Sequence, residues 1–349
     1  MKINKIKQSK INQIDFDTIA FGQHFTDHMF ICRYKEGKWQ NPEIQPYAPI
    51  TLDPSASVLH YGQAIFEGMK AFKDEENKVW LFRPEENFLR LNKSAVRLQI
   101  PEFPESYFFE GLSQLLNLDQ DWIQPGEGNS LYIRPFIFAN QATVQASASQ
   151  EYLFLIICSP VKSYYSDGEI NVLVAEKFSR AADGGVGYAK AAGNYAAQFY
   201  PTSLALKDGF QQIIWTDASS HEYLEEAGTM NIFFRINDTL ITAPVSDRIL
   251  DGVTRKSIIK LAEHKGIKVE ERPIKVDEIK EAHSQGVLQE IFGSGTAVVV
   301  LPINSFSHQG KTYKLPKTTP LALTLKEELV AIQYNKSEDH FGWRRGITN

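Results

Sequence analysis

Cysteine is nearly absent: two residues in 349, Cys32 and Cys158. Both lie inside apolar runs, "HMFICRY" and "YLFLIICSP". There they fit buried thiols in a reducing compartment better than a disulfide framework or a metal site, and no metal is expected. Long hydrophobic runs are missing as well, and none approaches the roughly 18 residues a membrane-spanning helix requires. An excess of basic charge is also lacking. The formal net charge is −5, so nothing draws the chain to nucleic acid or to an anionic membrane. The N-terminus, "MKINKIKQSKINQIDF", has four lysines but no arginine, no apolar core and no small-residue cleavage site. It reads as a solvated, disordered start of about 15 residues to a cytoplasmic protein, not as a targeting peptide.

The composition is that of an ordinary globular protein, 43% hydrophobic and 23% charged with 22 Gly and 16 Pro. The length predicts two domains of about 150 residues: a small α+β domain over 1–160, a linker over 161–168 and a large domain over 169–349. "HMFICRY", "KVWLFRP", "SLYIRPFIFA" and "EYLFLIIC" read as strands, rich in aromatic and β-branched residues. Residues 84–99 read as a helix, with Pro84 at its start and Phe88, Leu91, Ala95 and Leu98 at helical spacing. A second helix falls around "YFFEGLSQLLNL", and 140–150 reads as a loop. Further on come the strands "INVLVAEKF" and "FQQIIWTD", with a helix near 196–206 between them. "NIFFRINDTLITAP" reads as a hairpin turning at Asn237-Asp238. "TRKSIIKLAEHKG" is a helix closed by Gly266, and the tail carries another. Strands and helices mix without strict alternation, which favours α+β over a doubly wound parallel sheet.

The run "DGGVGYAKAAGNYAAQ" holds one lysine, Lys190, among small and uncharged residues with no adjacent acid. Three readings compete. A surface lysine in a glycine loop is the plainest. A phosphate-binding loop fails, because Ala189 and Ala191 stand where that motif needs Gly and Ser/Thr. The third is a Schiff-base lysine. Such an amine attacks only when neutral, and at a pKa of about 10.4 only roughly one in 2,500 is neutral at pH 7. Burial away from a carboxylate would lower that pKa, and small flanking residues would let a flat ring approach the backbone.

The second half of the chain adds parts that suit a pyridoxal phosphate site. "LEEAGTMNIFF" offers two acids, Glu225 and Glu226, one of which could hold the ring nitrogen protonated. Tyr195 could donate to the ring's phenolate oxygen. "DGVTRKSIIKLA" starts a helix after a glycine, leaving N–H groups and a positive dipole end for a phosphate. "FGSGTAVVV" adds a loop of hydroxyl and backbone donors. Each also has an ordinary explanation, as a solvated pair, a helix cap or a turn, but the combination favours the site.

The stretches "FTDHMF", "LHYGQAIFEGMKAF", "LFRPEENFLRL", "LYIRP", "GGVGYAKAAGNYA", "EEAGTMNIFF", "ILDGVTRKS" and "FGSGTA" together resemble the branched-chain amino acid aminotransferases. These are fold-type IV pyridoxal phosphate enzymes, and the resemblance runs from about residue 20 to the C-terminal helix. It implies a two-domain architecture with the active site between the domains, a homodimer, and pyridoxal 5'-phosphate as cofactor. It also implies reversible, ping-pong transfer of the amino group of L-leucine, L-isoleucine or L-valine to 2-oxoglutarate. Lys190 would then be the imine lysine and proton carrier, Glu226 the partner of the ring nitrogen and Tyr195 that of the ring O3'. Arg90, the backbone N–H groups of Val253 and Thr254, and the Thr296 hydroxyl would take the phosphate, with Leu250 against the ring. Phe21, Phe66 and Tyr132 would surround the aliphatic side chain, with Tyr61 and the 140–150 loop reaching in from a second subunit. Thr229 and the Ala297 N–H would bind the α-carboxylate, and Arg134 the distal carboxylate of glutamate. For Arg90 in particular, the sequence taken alone indicates only a solvated helix residue.

Val298 and Leu301 occupy positions where some animal relatives carry a Cys-x-x-Cys pair, so redox switching through that motif is not expected. A D-amino acid aminotransferase or an aminodeoxychorismate lyase would share Lys190 and Glu226 but should lack "FEGMKAF" and "YIRP". A non-catalytic pyridoxal phosphate carrier would give Arg134 no purpose.

Overall fold

The computed structural model describes residues 1–162 and 170–347. Its residues group into two compact units, each built around its own sheet. Of the expected linker over 161–168, Val161 ends a strand and Lys162 follows it; the remainder lies outside the described residues.

In the first unit, alternation of apolar residues creates a largely antiparallel sheet. Its order is Lys2–Ile3, Lys38–Pro46, His28–Lys35, Tyr152–Val161, Ser130–Ala139, Met69–Lys73, Val79–Phe82 and Arg344–Gly346, and Ala64–Phe66 also pairs with Ser130–Ala139. The central pair is in register from Ser130↔Val161 to Ala139↔Tyr152. Leu131, Ile133 and Ile137 therefore enter one core, together with Phe88, Leu91 and Ala95 of the helix Pro84–Arg97 and Phe108, Leu112 and Leu115 of the helix Glu105–Leu118. The alternate residues Tyr132, Arg134 and Phe136 project from the opposite face and are only half-buried.

The N-terminus departs from expectation, because it is docked. Lys2–Ile3 adds a parallel strand to Lys38–Pro46. The Ile6 N–H donates to His28 Nε2 at 3.1 Å, and Asp27 accepts from the Ser9 hydroxyl at 2.5 Å and the Lys10 N–H at 3.1 Å. Two buried acceptors satisfying that backbone outweigh the solubility of four lysines.

The grouping also differs from the expected division into 1–160 and 169–349. Ala189–Ala192 and the chain from Ala331 onward belong to the first unit. The tail is fixed there by the Tyr334 hydroxyl donating to the Asn129 carbonyl at 2.6 Å, by Asn335 on Asp74 at 2.9 Å, and by Arg344–Gly346 pairing with Val79–Phe82.

In the second unit the strands close on themselves. Leu224–Ala227, Gln212–Thr216, Ile170–Val174, Val299–His308, Leu288–Gly295 and Met230–Ile236 pair in that order, and the last pairs back to the first. The result is a six-stranded barrel, which leaves no open edge around the ring. Ile170–Val174 runs parallel to both its neighbours, and the other pairs of the ring are antiparallel. The expected hairpin is present, Met230–Ile236 with Thr239–Thr242, turning at Asn237-Asp238 with Asn237 at φ 52°. The helix Val253–His264 ends where Gly266 adopts φ 74°. The mixed, non-alternating arrangement is α+β, as the sequence predicts.

Candidate active site

The helix Pro84–Arg97 carries two stripes. Phe88, Leu91 and Ala95 are apolar and buried, as their spacing predicts. Beside them Asn87, Arg90 and Ser94, also at helical spacing, are polar and equally buried. This polar stripe organises the candidate site residues of the first unit. Arg90 grips the fully buried Glu67 through Nε and Nη2, each 2.8 Å from a different carboxylate oxygen. Asn87 donates to Glu67 at 2.8 Å. Ser94 Oγ accepts the Lys190 N–H at 2.9 Å. Burial alone would raise the Glu67 carboxyl, but the Arg90 charge and hydrogen bonds, with help from Lys190 and Asn87, hold it below the usual range.

Lys190 is thus anchored by its backbone on both sides. Its carbonyl accepts the Phe66 N–H at 3.1 Å, and Ala191 bridges to Ile65. The amine stands 4.6 Å from the Phe66 ring centroid. The sequence shows no acid next to this lysine, yet folding brings Glu67 close enough for the two charges to interact. Arg134 stands over the other aromatic residues: its guanidinium is 4.6 Å from the Phe66 centroid and 5.2 Å from that of Tyr132, and Nη2 donates to the Tyr132 hydroxyl at 3.0 Å. Phe21 meets Tyr132 edge to face at 5.0 Å. Lys190, Arg90, Phe66, Tyr132, Arg134 and Phe21 therefore belong to one unit. Tyr61 is in the same unit, half-exposed, with its hydroxyl on the Val144 carbonyl of the 140–150 loop at 2.6 Å.

The second unit holds the other residues expected from the sequence. Glu225 and Glu226 sit side by side on the strand Leu224–Ala227, both buried. Glu226 accepts from the Leu250 N–H at 2.8 Å and from Asn231 at 3.1 Å through one oxygen, while Arg180 lies 2.8 Å from the other. Asn231 also donates to the Leu250 carbonyl at 2.9 Å, which ties that residue to the same acid. Val253 and Thr254 open the helix Val253–His264 behind Gly252, whose position offers no side chain to cap this N-terminus. Thr296 and Ala297 lie in the turn between Leu288–Gly295 and Val299–His308, where Val299 has φ 61°, a conformation costly for a β-branched residue. Thr229 is exposed in the tight turn after Ala227, and Tyr195 is half-buried in the helix Ala192–Ala196.

Glu225 differs from its neighbour. Arg248 Nε forms an ion pair with its Oε1 at 2.5 Å. Burial pushes the carboxyl up to about 7 from an ordinary 4.5, against the opposing charges of Arg248 and Arg180. Between those two pH values the folded chain keeps a proton that the unfolded chain has lost. Stability from this group is therefore full below about pH 4.5 and declines as pH rises toward 7. Glu225→Gln should reduce the loss of unfolding free energy between pH 5 and pH 8 by up to about 3 kcal/mol, measured by urea titration at both pH values.

Gly187, three residues before Lys190, has a packing role that the sequence did not reveal. A Cβ on Gly187 would stand 2.6 Å from the Asp247 carbonyl oxygen and 2.8 Å from Arg248 Cα. The segment is clamped there by Tyr188 N–H on the Asp247 carbonyl at 3.0 Å and by Arg180 on the Gly187 carbonyl at 3.1 Å. Gly187→Ala should cost about 1–3 kcal/mol of stability, read as a lowered Tm, because backbone atoms cannot step aside as a side chain can.

Three residues of this arrangement went unread in the sequence. Glu67 follows Phe66 directly, and the polar spacing 87/90/94 beside an apolar stripe was the available signal for its partners. Arg180 lies ten positions before Lys190 with nothing local to mark it. Asn231, one residue beyond Met230 on the strand after Glu226, could have been found from its register opposite that acid.

Comparison with known proteins gives the family. The model of the family described as amino-transferase class IV matches residues 64–306. Branched-chain-amino-acid aminotransferase 2 of Bacillus subtilis (strain 168) is 44% identical over 97% of this chain and 95% of its own length. Branched-chain-amino-acid transaminase 1 of the same organism is 45% identical over 94% of each. The chain belongs to the class IV aminotransferases, and within them to the branched-chain-amino-acid aminotransferase family. Two solved structures share the fold. The Escherichia coli branched-chain amino acid aminotransferase has a TM-score of 0.75 at 24% identity, covering 92% of this chain and 99% of that one. The branched-chain amino acid aminotransferase of Thermobaculum terrenum, in its PLP-bound holo-form, has a TM-score of 0.73 at 19% identity, covering 92% and 98%.

Proposed function

We infer that the protein is a branched-chain amino acid transaminase that moves the amino group of L-leucine, L-isoleucine or L-valine reversibly to 2-oxoglutarate, using pyridoxal 5'-phosphate in a ping-pong cycle. The observation that carries this reading is the 44% identity, over nearly the whole of both chains, to an aminotransferase of that name. The cofactor fits the donors present. A lysine amine is fixed over an aromatic ring, a buried carboxylate is held by three donors, and a 12-residue helix offers an N-terminus whose cap position is a glycine. When bound, the cofactor supplies an electron sink that lets the Cα–H bond of the amino acid break heterolytically.

The chain's own residues do the remainder. Lys190 would hold the cofactor through its amine, and the same amine would move the proton at Cα. Its backbone anchors fix the point from which the side chain reaches out. Glu226 is the acceptor for the ring nitrogen, and Arg180, Asn231 and the Leu250 N–H fix its direction. Tyr195 donates to the ring oxygen, and Leu250 packs on the ring. Val253, Thr254 and Thr296 bind the phosphate with Arg90, whose fork is shared with Glu67. Thr229 and Ala297 take the α-carboxylate. Phe21, Phe66 and Tyr132 exclude water around an aliphatic side chain, and Arg134 meets the distal carboxylate of glutamate.

The reading includes a homodimer in which Tyr61 and the 140–150 loop serve the partner's site. Leu59, Tyr61 and Val144, all exposed, support it as a surface that profits from being covered. It also includes a cytoplasmic location, which two buried free thiols suit.

Purified protein given L-leucine and 2-oxoglutarate should form L-glutamate. Turnover of D-alanine without turnover of L-leucine would overturn the assignment.

A further inference from the structure

Position 68 is a glycine for want of space, not for backbone freedom. Its φ lies outside the left-handed region. A Cβ there would fall 2.1 Å from the Tyr132 hydroxyl oxygen and 3.0 Å from the ring carbon that bears it. The glycine is itself fixed, with its N–H on Glu67 at 3.2 Å and its carbonyl accepting from Asn87 at 3.3 Å. The hydroxyl it makes room for is the acceptor for Arg134 Nη2 at 3.0 Å. Arg134 is otherwise steered by the faces of Phe66 and Tyr132, and its buried Nε has no hydrogen-bond partner among the described residues. The direction of this guanidinium thus depends on one hydroxyl, and the place of that hydroxyl depends on the missing Cβ.

We propose that Gly68 is a specificity-determining residue: by leaving room for the Tyr132 hydroxyl it sets the direction of Arg134, and so the preference of the site for dicarboxylic over branched aliphatic substrates. The proposal rests on the function inferred above and extends it to a residue with no side chain of its own. A methyl group at 68 displaces the far end of the tyrosine, which can move, so the fold survives while the Arg134 hydrogen bond is lost. A charged hydrogen bond that aims a cation at a carboxylate is worth roughly tenfold or more in affinity. An aliphatic side chain feels only the small movement of the ring.

The test compares wild type, Gly68→Ala and Tyr132→Phe in the cofactor-loaded enzyme. The quantity read is kcat/KM for 2-oxoglutarate divided by kcat/KM for 4-methyl-2-oxopentanoate. It should fall about tenfold or more in both variants. Calorimetric binding of glutarate, a dicarboxylate that cannot react, should weaken to a similar degree. A ratio and a glutarate affinity within about threefold of wild type in Tyr132→Phe would overturn the proposal, as would an equal loss for both oxo acids in folded Gly68→Ala. If Gly68→Ala does not fold, Tyr132→Phe decides. Failure of the wild type to make glutamate from leucine overturns the inferred function and this proposal together. Turnover by the wild type with unaltered ratios in the variants overturns this proposal alone.

Discussion

Lys190→Ala should lower leucine transamination by about 10⁴-fold or more while leaving the fold intact. On the proposed function the loss follows because one amine would have both to hold the cofactor and to carry the proton, and no second lysine lies between Lys190 and Lys207. The fold should survive because what fixes this segment is backbone. Ser94 accepts the Lys190 N–H, Phe66 donates to its carbonyl and Ala191 pairs with Ile65, and alanine keeps all three. The side chain lies against the face of Phe66 and feels the charge of Glu67, and Glu67 retains its fork to Arg90. The measurements are steady-state rates, urea unfolding and borohydride trapping of the cofactor. A small primary amine added to the variant should restore part of the rate, since it replaces the missing group without replacing any packing. Full activity in the variant would remove Lys190 from the chemistry. Lost activity with a collapsed unfolding transition would mean that the side chain is structural.

The sequence made the ends of this argument legible and hid its middle. Lys190 stood out because its surroundings had been cleared of charge and bulk, and the adjacent acids Glu225 and Glu226 because they fall at a strand, the choice of Glu226 resting on the family resemblance. The strands were readable from their aromatic and β-branched residues, and the helix over 84–99 from Pro84 at its start and an apolar recurrence of three to four. Three things were not readable. Glu67 and Arg90 are 23 residues apart, and neither looks buried until the helix sets its polar stripe against the strand region. The glycines before Lys190 looked like clearance for a ring, whereas Gly187 is excluded from having a side chain by the backbone at 247–248, some sixty residues later. The lysine-rich N-terminus looked disordered because its anchors, Asp27 and His28, lie beyond the segment that was being judged. In each case the decisive partner was distant in sequence and polar, and neither pattern nor propensity carries information about such a partner.

The largest stability effect is expected at Arg180. Its Nη2 lies 2.8 Å from Glu226 and donates to the carbonyls of Gly187 and Arg248 at 3.1 and 2.6 Å, with both charged side chains about 5% exposed. One guanidinium thus orients the acid assigned to the ring nitrogen and holds the segment that leads into Lys190. Arg180→Met leaves Glu226 charged and buried with Asn231 and the Leu250 N–H as its donors, and leaves two carbonyls short of a partner. Breaking a buried pair on one side costs about 3–5 kcal/mol, because the remaining charge has neither water nor a counter-ion. Glu226→Gln in the Arg180→Met background should therefore recover a good part of the loss, although each substitution alone destabilises. Urea unfolding of the cofactor-free protein across the four-member cycle measures this directly, and a coupling of about 1.5 kcal/mol or more is expected. The holoenzyme adds a second readout. If Arg180 orients Glu226, Arg180→Met should shift the absorbance of the bound cofactor and lower kcat more than it raises KM, while Arg180→Lys restores part of both. Additive losses with an unchanged cofactor spectrum would reduce Arg180 to a packing residue and leave the orientation of Glu226 to Asn231 and the strand itself.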